Sequence, residues 1–318
     1  MTTTGDAEHG ERPGPPGGGG PAPYEERAVD LRDKRRLGLA AFGDPDGFTV
    51  FWFHGTPGAR RQVPPAAIEF AGANGLRLVG LERPGVGWST AHLYRHMADW
   101  ADDVAQVADV VGADRFGVVG LSGGGPYVLA CAAKLPERVV AAAVLGGVAP
   151  TRGRDAADGG LVALTRPFEP VLATLRWPLS TALDLTIRNV LTPVADQAAD
   201  LYTRFGPASD RAVLSRPEMR ATLIGDLLNA SGDQFKAIVD DVVLFGRHWG
   251  FDLGEIEVPV YFWHGDADAF VPLAHGERMA AAVRNGVLNF RPGDGHLATL
   301  DAGRDALELI LGQARAGE

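Results

Sequence analysis

Val118-Val119-Gly120-Leu121-Ser122-Gly123-Gly124-Gly125 separates two apolar stretches of different kind. The run before it, Phe116 to Val119, reads as a strand. The run after it, Pro126-Tyr127-Val128-Leu129-Ala130-Cys131-Ala132-Ala133, reads as a helix. Strand, sharp turn with one serine, helix is the setting of the G-x-S-x-G elbow, which lifts a serine hydroxyl above a sheet edge. Glycines flank the serine because the turn is tight and the strand and helix backbones pass close together. Five residues taken alone fit equally well a glycine-rich turn with an incidental serine, since both residue types are common in loops. The surrounding chain decides between them.

Upstream, Glu25 to Leu31 and Leu37 to Gly43 read as two antiparallel edge strands. Asp44-Pro45-Asp46-Gly47 is a turn by composition. Thr49-Val50-Phe51-Trp52-Phe53 is a continuous apolar run, expected of a strand covered on both faces. A helix over Ile68 to Asn74, a strand over Leu76 to Leu81 and a helix over Met97 to Val111 follow, the last closed by Gly112. Downstream of the elbow, strands are expected at Val139 to Leu145, Val258 to Trp263 and Val287 to Phe290, and a final helix at Leu300 to Gln313. Strands alternating with helices predict an α/β protein with a mainly parallel sheet and helices on both faces. From about Pro150 to Leu253 the alternation stops, and Leu179 to Leu191, Arg220 to Asn229 and Gln234 to Phe245 have helical periodicity. The predicted organisation is therefore a core from 24–149 and 254–318, interrupted by a helical cap at 150–253.

Residues 1–23 are rich in Gly and Pro and too poor in apolar side chains to offset the entropy of ordering them, which predicts a disordered tail. No apolar segment follows the N-terminal methionine as in a secretory signal, and no run approaches the roughly 20 apolar residues of a membrane span. A cytoplasmic protein is the expectation. The formal charge of −10 argues against nucleic acid or an anionic membrane as a partner. The single cysteine, Cys131, excludes an internal disulfide framework and sits where a packing role is expected.

Ligands of an open α/β sheet collect at the carboxyl ends of its strands. Standing there are His54-Gly55-Thr56, Ser122-Gly123, Asp266 and Asp268, and Asp294-Gly295-His296. A serine hydroxyl is a poor nucleophile near neutral pH. It needs an imidazole to take its proton, and the imidazole needs a carboxylate on its other nitrogen. The chain supplies serine, acid and histidine in that order, with Ser122 as nucleophile, His296 as proton carrier, and Asp268 as the acid. Asp266 and Asp294 remain alternatives for the acid. The N–H of Gly123, following the nucleophile, is one expected donor to an oxyanion. His92 and His96 are four residues apart but lack a carboxylate pattern, so a solvated face is expected there and no metal site.

From Tyr24 onwards the chain resembles the α/β-hydrolase superfamily, especially its capped members. The resemblance rests on His54-Gly55-Thr56-Pro57-Gly58, Arg83-Pro84-Gly85-Val86-Gly87-Trp88-Ser89, Gly120-Leu121-Ser122-Gly123-Gly124, His264-Gly265-Asp266-Ala267-Asp268-Ala269-Phe270-Val271-Pro272 and Gly295-His296. It is weak through the cap. It implies an eight-stranded, mainly parallel sheet with a helical cap inserted after the sixth strand. The family's acid falls in a Gly-x-x-Asp-x-x-x-Pro stretch, which puts it at Asp268, and its His-Gly-x motif makes Thr56 the second oxyanion donor. His54 would order that loop and stay out of the proton relay. No cofactor and no metal is implied. Relatives that open epoxides or remove halide carry an aspartate at the elbow, so the serine points to acyl transfer.

These readings predict a serine hydrolase that cleaves a carboxylic ester or related acyl bond through an acyl-enzyme. A proline-iminopeptidase-like aminopeptidase is the alternative, because the His-Gly-x-Pro-Gly loop resembles that group and the cap is rich in carboxylates (Asp184, Asp196, Asp200, Glu218, Asp226). A non-catalytic binder on the same fold is the remaining alternative. Phe168, Trp177 and Trp249 are candidates for a substrate wall, set against ordinary packing of the cap's own helices.

Overall fold

The computed structural model describes residues 21–160, 204, 206–225 and 234–317. Eight strands form one sheet: β1 (Glu25–Asp30), β2 (Arg36–Gly43), β3 (Phe48–Phe53), β4 (Leu76–Leu81), β5 (Phe116–Leu121), β6 (Val139–Leu145), β7 (Val260–Gly265) and β8 (Gly286–Arg291). Their order across the sheet is β1-β2-β4-β3-β5-β6-β7-β8. The first two strands are antiparallel to each other and β2 is antiparallel to β4, whereas every pair from β4 to β8 is parallel. Every residue of β5 and β6 is buried, as apolar runs must be when helices cover both faces of a parallel sheet.

Side chains alternate across a strand, so each strand feeds two cores. Phe51 and Phe53 of β3 and Val118 of β5 pack on one face with Trp100, Val104, Tyr127 and Val128. Val50, Trp52, Val119 and Leu121 pack on the other with Ile68, Leu307 and Ile310. The first face is covered by α2 (Trp100–Val111), α3 (Gly125–Lys134) and, beside β7 and β8, α6 (Leu273–Ala282). The second is covered by α1 (Pro65–Ala73) and α7 (Gly303–Ala316). Each fully buried aromatic or aliphatic side chain contributes on the order of 1.5–3 kcal/mol. An edge-to-face series, Phe53 to Trp100 at 5.3 Å and Trp100 to Tyr127 at 5.4 Å, ties β3 to the helix that follows the elbow. Cys131 is wholly buried there, and burial pushes its thiol well above the usual range.

Register levels the strand ends. Gly120 of β5 lies beside Phe53 of β3 and Val144 of β6, and Val144 lies beside Phe262 of β7. The loops after β3, β5, β6 and β7 therefore leave the same edge of the sheet. That edge is the floor of the site.

The predicted elements shift by a few residues. The helix expected from Ile68 begins at Pro65, because proline is suited to the first helical position. The strand expected at Val258 starts at Val260 and runs through His264-Gly265. The last helix is preceded by a 3-10 segment, Leu297–Ala302. Between β6 and β7, the described residues include α4 (Ala208–Leu214), a single turn at Pro217–Arg220, a wider π-type turn at Ala221–Gly225, and α5 (Gln234–Phe245), the last as expected. The helix expected at 179–191, the tail up to residue 20, and Phe168 and Trp177 lie outside the described residues. Among the described residues no helix is long and apolar enough to cross a membrane.

Candidate active site

Ser122 holds φ at +52°, a left-handed conformation that costs a non-glycine residue roughly 1–2 kcal/mol. Local packing enforces it. A Cβ at Gly120 would lie 2.6 Å from the Gly124 carbonyl oxygen, and one at Gly124 would run into the Phe53 and His54 carbonyls. Only glycine lets β5, the turn and the start of α3 pass this closely to β3. Residues held off their preferred conformation by surrounding structure are typical of working sites. The turn Ser122–Gly124 leads directly into α3, and the first N–H groups of a helix have no partner within it.

Ser122 Oγ lies 2.9 Å from His296 Nε2, and His296 Nδ1 lies 2.7 Å from Asp268 Oδ2. Residues separated by 174 and 28 positions thus form one hydrogen-bonded line. Asp268 is 5 % exposed, and its other oxygen accepts the backbone N–H groups of Phe270 and Val271 at 2.9 and 2.8 Å. With both oxygens committed, the carboxylate can hold only one imidazole orientation. The two rival acids are engaged elsewhere. Asp266 Oδ1 accepts the Gly293 N–H at 2.7 Å, and Asp294 pairs with Arg291. The Phe270 ring stands 5.5 Å from the His296 ring, centre to centre.

The loop after β3 packs against the elbow. A Cβ on Gly123 would collide with Thr56 Oγ1 and come within 2.9 Å of Thr56 Cβ and 3.3 Å of the Phe245 ring. The two expected oxyanion donors are therefore neighbours. His54 is buried, its Nδ1 is 2.8 Å from the Gly55 carbonyl oxygen, and its Nε2 accepts the Arg83 N–H at 3.3 Å. Those partners require a neutral ring carrying its proton on Nδ1. Burial, reinforced by the Arg83 charge, pushes the His54 pKa well below the ordinary value and keeps it neutral. Gln62 fastens the same loop, accepting the Gly55 N–H at 2.6 Å and donating to the Pro57 carbonyl at 3.2 Å.

A buried polar knot lies behind Thr56. Asp241, on α5, accepts hydrogen bonds from Thr56 Oγ1 at 2.6 Å, Arg83 Nη2 at 2.8 Å and the Tyr127 hydroxyl at 2.6 Å. Burial, and next the Asp241 charge, push the Tyr127 phenol well above its usual range, so it remains a donor. Asp210, on α4, accepts the Ala298 N–H at 2.8 Å, and Ser209 accepts the Gly295 N–H at 2.9 Å while donating to the Gly293 carbonyl at 3.0 Å. The segment between β6 and β7 thus braces both the Thr56 loop and the His296 loop.

Sequence reasoning located Ser122, His296, Asp268, Thr56 and Gly123, and the fold brings all five together. It missed Gln62, Tyr127, Asp210 and Asp241. For Asp241 a signal exists: it falls on the apolar stripe Ala237, Asp241, Leu244, Phe245 of an otherwise amphipathic helix, and a carboxylate on a buried face requires partners. The aromatic proposed at Trp249 is placed differently. Its ring packs on Phe251 at 6.0 Å and its carbonyl accepts the Ala98 N–H, whereas Phe245 of the same stretch stands beside Gly123. His92 meets the Tyr94 ring edge-to-face and His96 meets the His248 carbonyl.

The family model of the alpha/beta hydrolase fold matches residues 49–302, and the chain belongs to that family. Among curated proteins it is similar to the bifunctional esterase/perhydrolase DCH of Acinetobacter calcoaceticus, 30% identical over 274 residues that cover 84% of this chain and 92% of that protein. It is also similar to 2-hydroxymuconate semialdehyde hydrolase of Pseudomonas putida, 25% identical over 76% of this chain and 87% of the relative. Among solved structures, an esterase from Rhodococcus sp. ECU1013 shares the fold with a TM-score of 0.65 and 20% identity, covering 91% of this chain and 98% of that one.

Proposed function

We propose that the protein is a serine hydrolase that cleaves carboxylic esters through an acyl-enzyme. The observation that carries this reading is the continuous line Ser122 Oγ, His296 Nε2, His296 Nδ1, Asp268 Oδ2, with contacts of 2.9 and 2.7 Å. His296 takes the hydroxyl proton as Ser122 forms a bond to the acyl carbon. The carbonyl oxygen becomes an oxyanion held by the N–H groups of Gly123 and Thr56, an effect worth several kcal/mol of barrier. His296 then gives its proton to the departing alkoxide, and the alcohol leaves. Water, deprotonated by the same imidazole, attacks the acyl carbon and releases the acid, returning the proton to Ser122.

The relatives named as an esterase and as a semialdehyde hydrolase support acyl chemistry, and the esterase is the more similar in sequence. Phe245 and Phe270 beside the reacting groups favour a small or medium apolar acyl chain. The test is a fluorophosphonate probe combined with a panel of aryl esters and aminoacyl arylamides, each read against Ser122→Ala. Labelling and ester turnover that vanish together in the variant are the expected result. Persistent labelling of Ser122→Ala, or turnover of arylamides alone, overturns the reading.

A further inference from the structure

The amide that joins Gly55 to Thr56 has two ends. Its N–H belongs to Thr56, and its carbonyl oxygen belongs to Gly55. In a trans peptide these point in opposite directions, and the cis bond of this loop is the next one, Thr56–Pro57. The Gly55 oxygen faces inward, where it meets Arg83 Nη2 at 3.0 Å and His54 Nδ1 at 2.8 Å. Arg83 also donates to the His54 carbonyl, and its Nη2 reaches Thr56 Oγ1 at 2.7 Å. Both the carbonyl end of this amide and the side chain beside its N–H are thus gripped by one buried guanidinium.

That guanidinium is fixed in turn by Asp241. The carboxylate takes Arg83 and the Thr56 hydroxyl on Oδ2 and the Tyr127 hydroxyl on Oδ1, and the Arg83 charge lies 4.9 Å from the centre of the Tyr127 ring. Arg83 and Asp241 are both almost fully buried and lie 158 positions apart. A buried pair of this kind is weak evidence of stabilisation, because desolvation offsets much of its attraction. Its geometry instead points at a single peptide group.

We propose that Arg83 and Asp241 are positioning residues of the oxyanion hole, holding the Gly55–Thr56 amide so that its N–H is aimed at the developing oxyanion. The inference rests on the serine-hydrolase reading above. Hydrogen bonding of a cation to the amide oxygen also polarises the group and strengthens its N–H as a donor. Asp241 comes from α5, so the segment between β6 and β7 completes the hole as well as the substrate wall. A device that acts on the oxyanion changes the transition state and leaves ground-state binding alone.

The test is Asp241→Asn, which keeps shape but cannot accept all three donors. The protein is assayed with p-nitrophenyl butyrate, with active sites counted by fluorophosphonate, alongside binding of phenylboronic acid as a tetrahedral adduct on Ser122. The expected result is a fall of about 10- to 100-fold in kcat per active site, the scale set by a small misplacement of a catalytic group. KM stays within about twofold, and boronate affinity falls in parallel with kcat. A kcat per site that matches the parent overturns the proposal, whatever happens to Tm. A raised KM with kcat unchanged also overturns it and makes Asp241 a substrate contact. Should Asp241→Asn fail to fold, Thr56→Val removes only the hydroxyl link, and an unchanged kcat there overturns the proposal as well. A parent protein that is neither labelled nor active on esters shows instead that the serine-hydrolase reading has failed, before any variant is measured.

Discussion

Asp268 divides its carboxylate between its own loop and His296. One oxygen accepts the N–H groups of Phe270 and Val271, and the other lies 2.7 Å from His296 Nδ1. Orientation of the imidazole is thus built into the turn that follows β7. Asp268→Asn should keep the loop, because an amide oxygen still accepts both N–H groups, but its NH2 group favours the wrong imidazole tautomer. A loss of about 10⁴-fold in kcat is expected, by analogy with the same exchange in serine proteases. Steady-state kinetics and a melting curve check this. Near-parental turnover would move the acid role to Asp266 or Asp294.

Gly123→Ala should damage the oxyanion hole without touching the proton relay. The added methyl group collides with Thr56 Oγ1, so the two donors separate. Loss of one such donor costs about 10²- to 10³-fold in kcat. The measurement is kcat and KM on an aryl ester, and an unaltered kcat would place the oxyanion elsewhere.

Ser122→Gly and Ser122→Ala both remove the hydroxyl, so both should be inactive, yet they should differ in stability. The backbone at this position has φ of +52°, which glycine adopts freely and alanine does not. The glycine variant is expected to be more stable than the alanine variant by roughly 1 kcal/mol, the left-handed penalty less the greater chain entropy of glycine. Urea unfolding of the two proteins decides. Equal stability would mean that the strain at the elbow is no larger than the chain-entropy cost of glycine, about 0.5–1 kcal/mol.

His54 ties stability to pH. Burial first, then the Arg83 charge, hold its folded pKa well below the ordinary value of 6.5. In the folded protein the ring stays neutral, while in the unfolded chain it binds a proton below about pH 6.5. Its contribution is therefore intact above that pH and is lost as pH falls towards the folded value, by up to about 1.4 kcal/mol per pH unit. His264 and His275, also lowered chiefly by burial, act in the same direction. Unfolding free energy should fall between about pH 7 and pH 5, and the slope should be shallower for His54→Asn. Parallel slopes in variant and parent would remove His54 from the account.

The middle of the sheet was legible because its central strands are buried on both faces and so read as unbroken apolar runs. Val139 to Leu145 needed nothing more than its composition. The line from Ser122 to His296 was legible because chemistry demands those residue types at strand ends. Asp210 was not, since its work is done on a backbone group far away in sequence and nothing adjacent to it announces a partner. The stripe that holds Asp241 shows that it needs partners but does not name Thr56, Arg83 and Tyr127. Trp249 and Phe245 both lie in the buried core, as the packing alternative allows, and only Phe245 reaches the elbow, a distinction that local sequence does not carry. Gln62 is polar in a loop, and its two hydrogen bonds to Gly55 and Pro57 follow from a fold in the backbone that composition does not encode.

Ser209 and Asp210 lie between β6 and β7 yet hold backbone groups on either side of His296. That segment is consequently not an interchangeable module. A chimaera that exchanged it for a relative's would replace Phe245, which stands beside Gly123. It would also strand two amides of the histidine loop unless a hydroxyl and a carboxylate arrived at the same two places. Redesign of this protein's selectivity is better begun with single changes at Phe245 or Phe270 than with transplantation of the whole insertion.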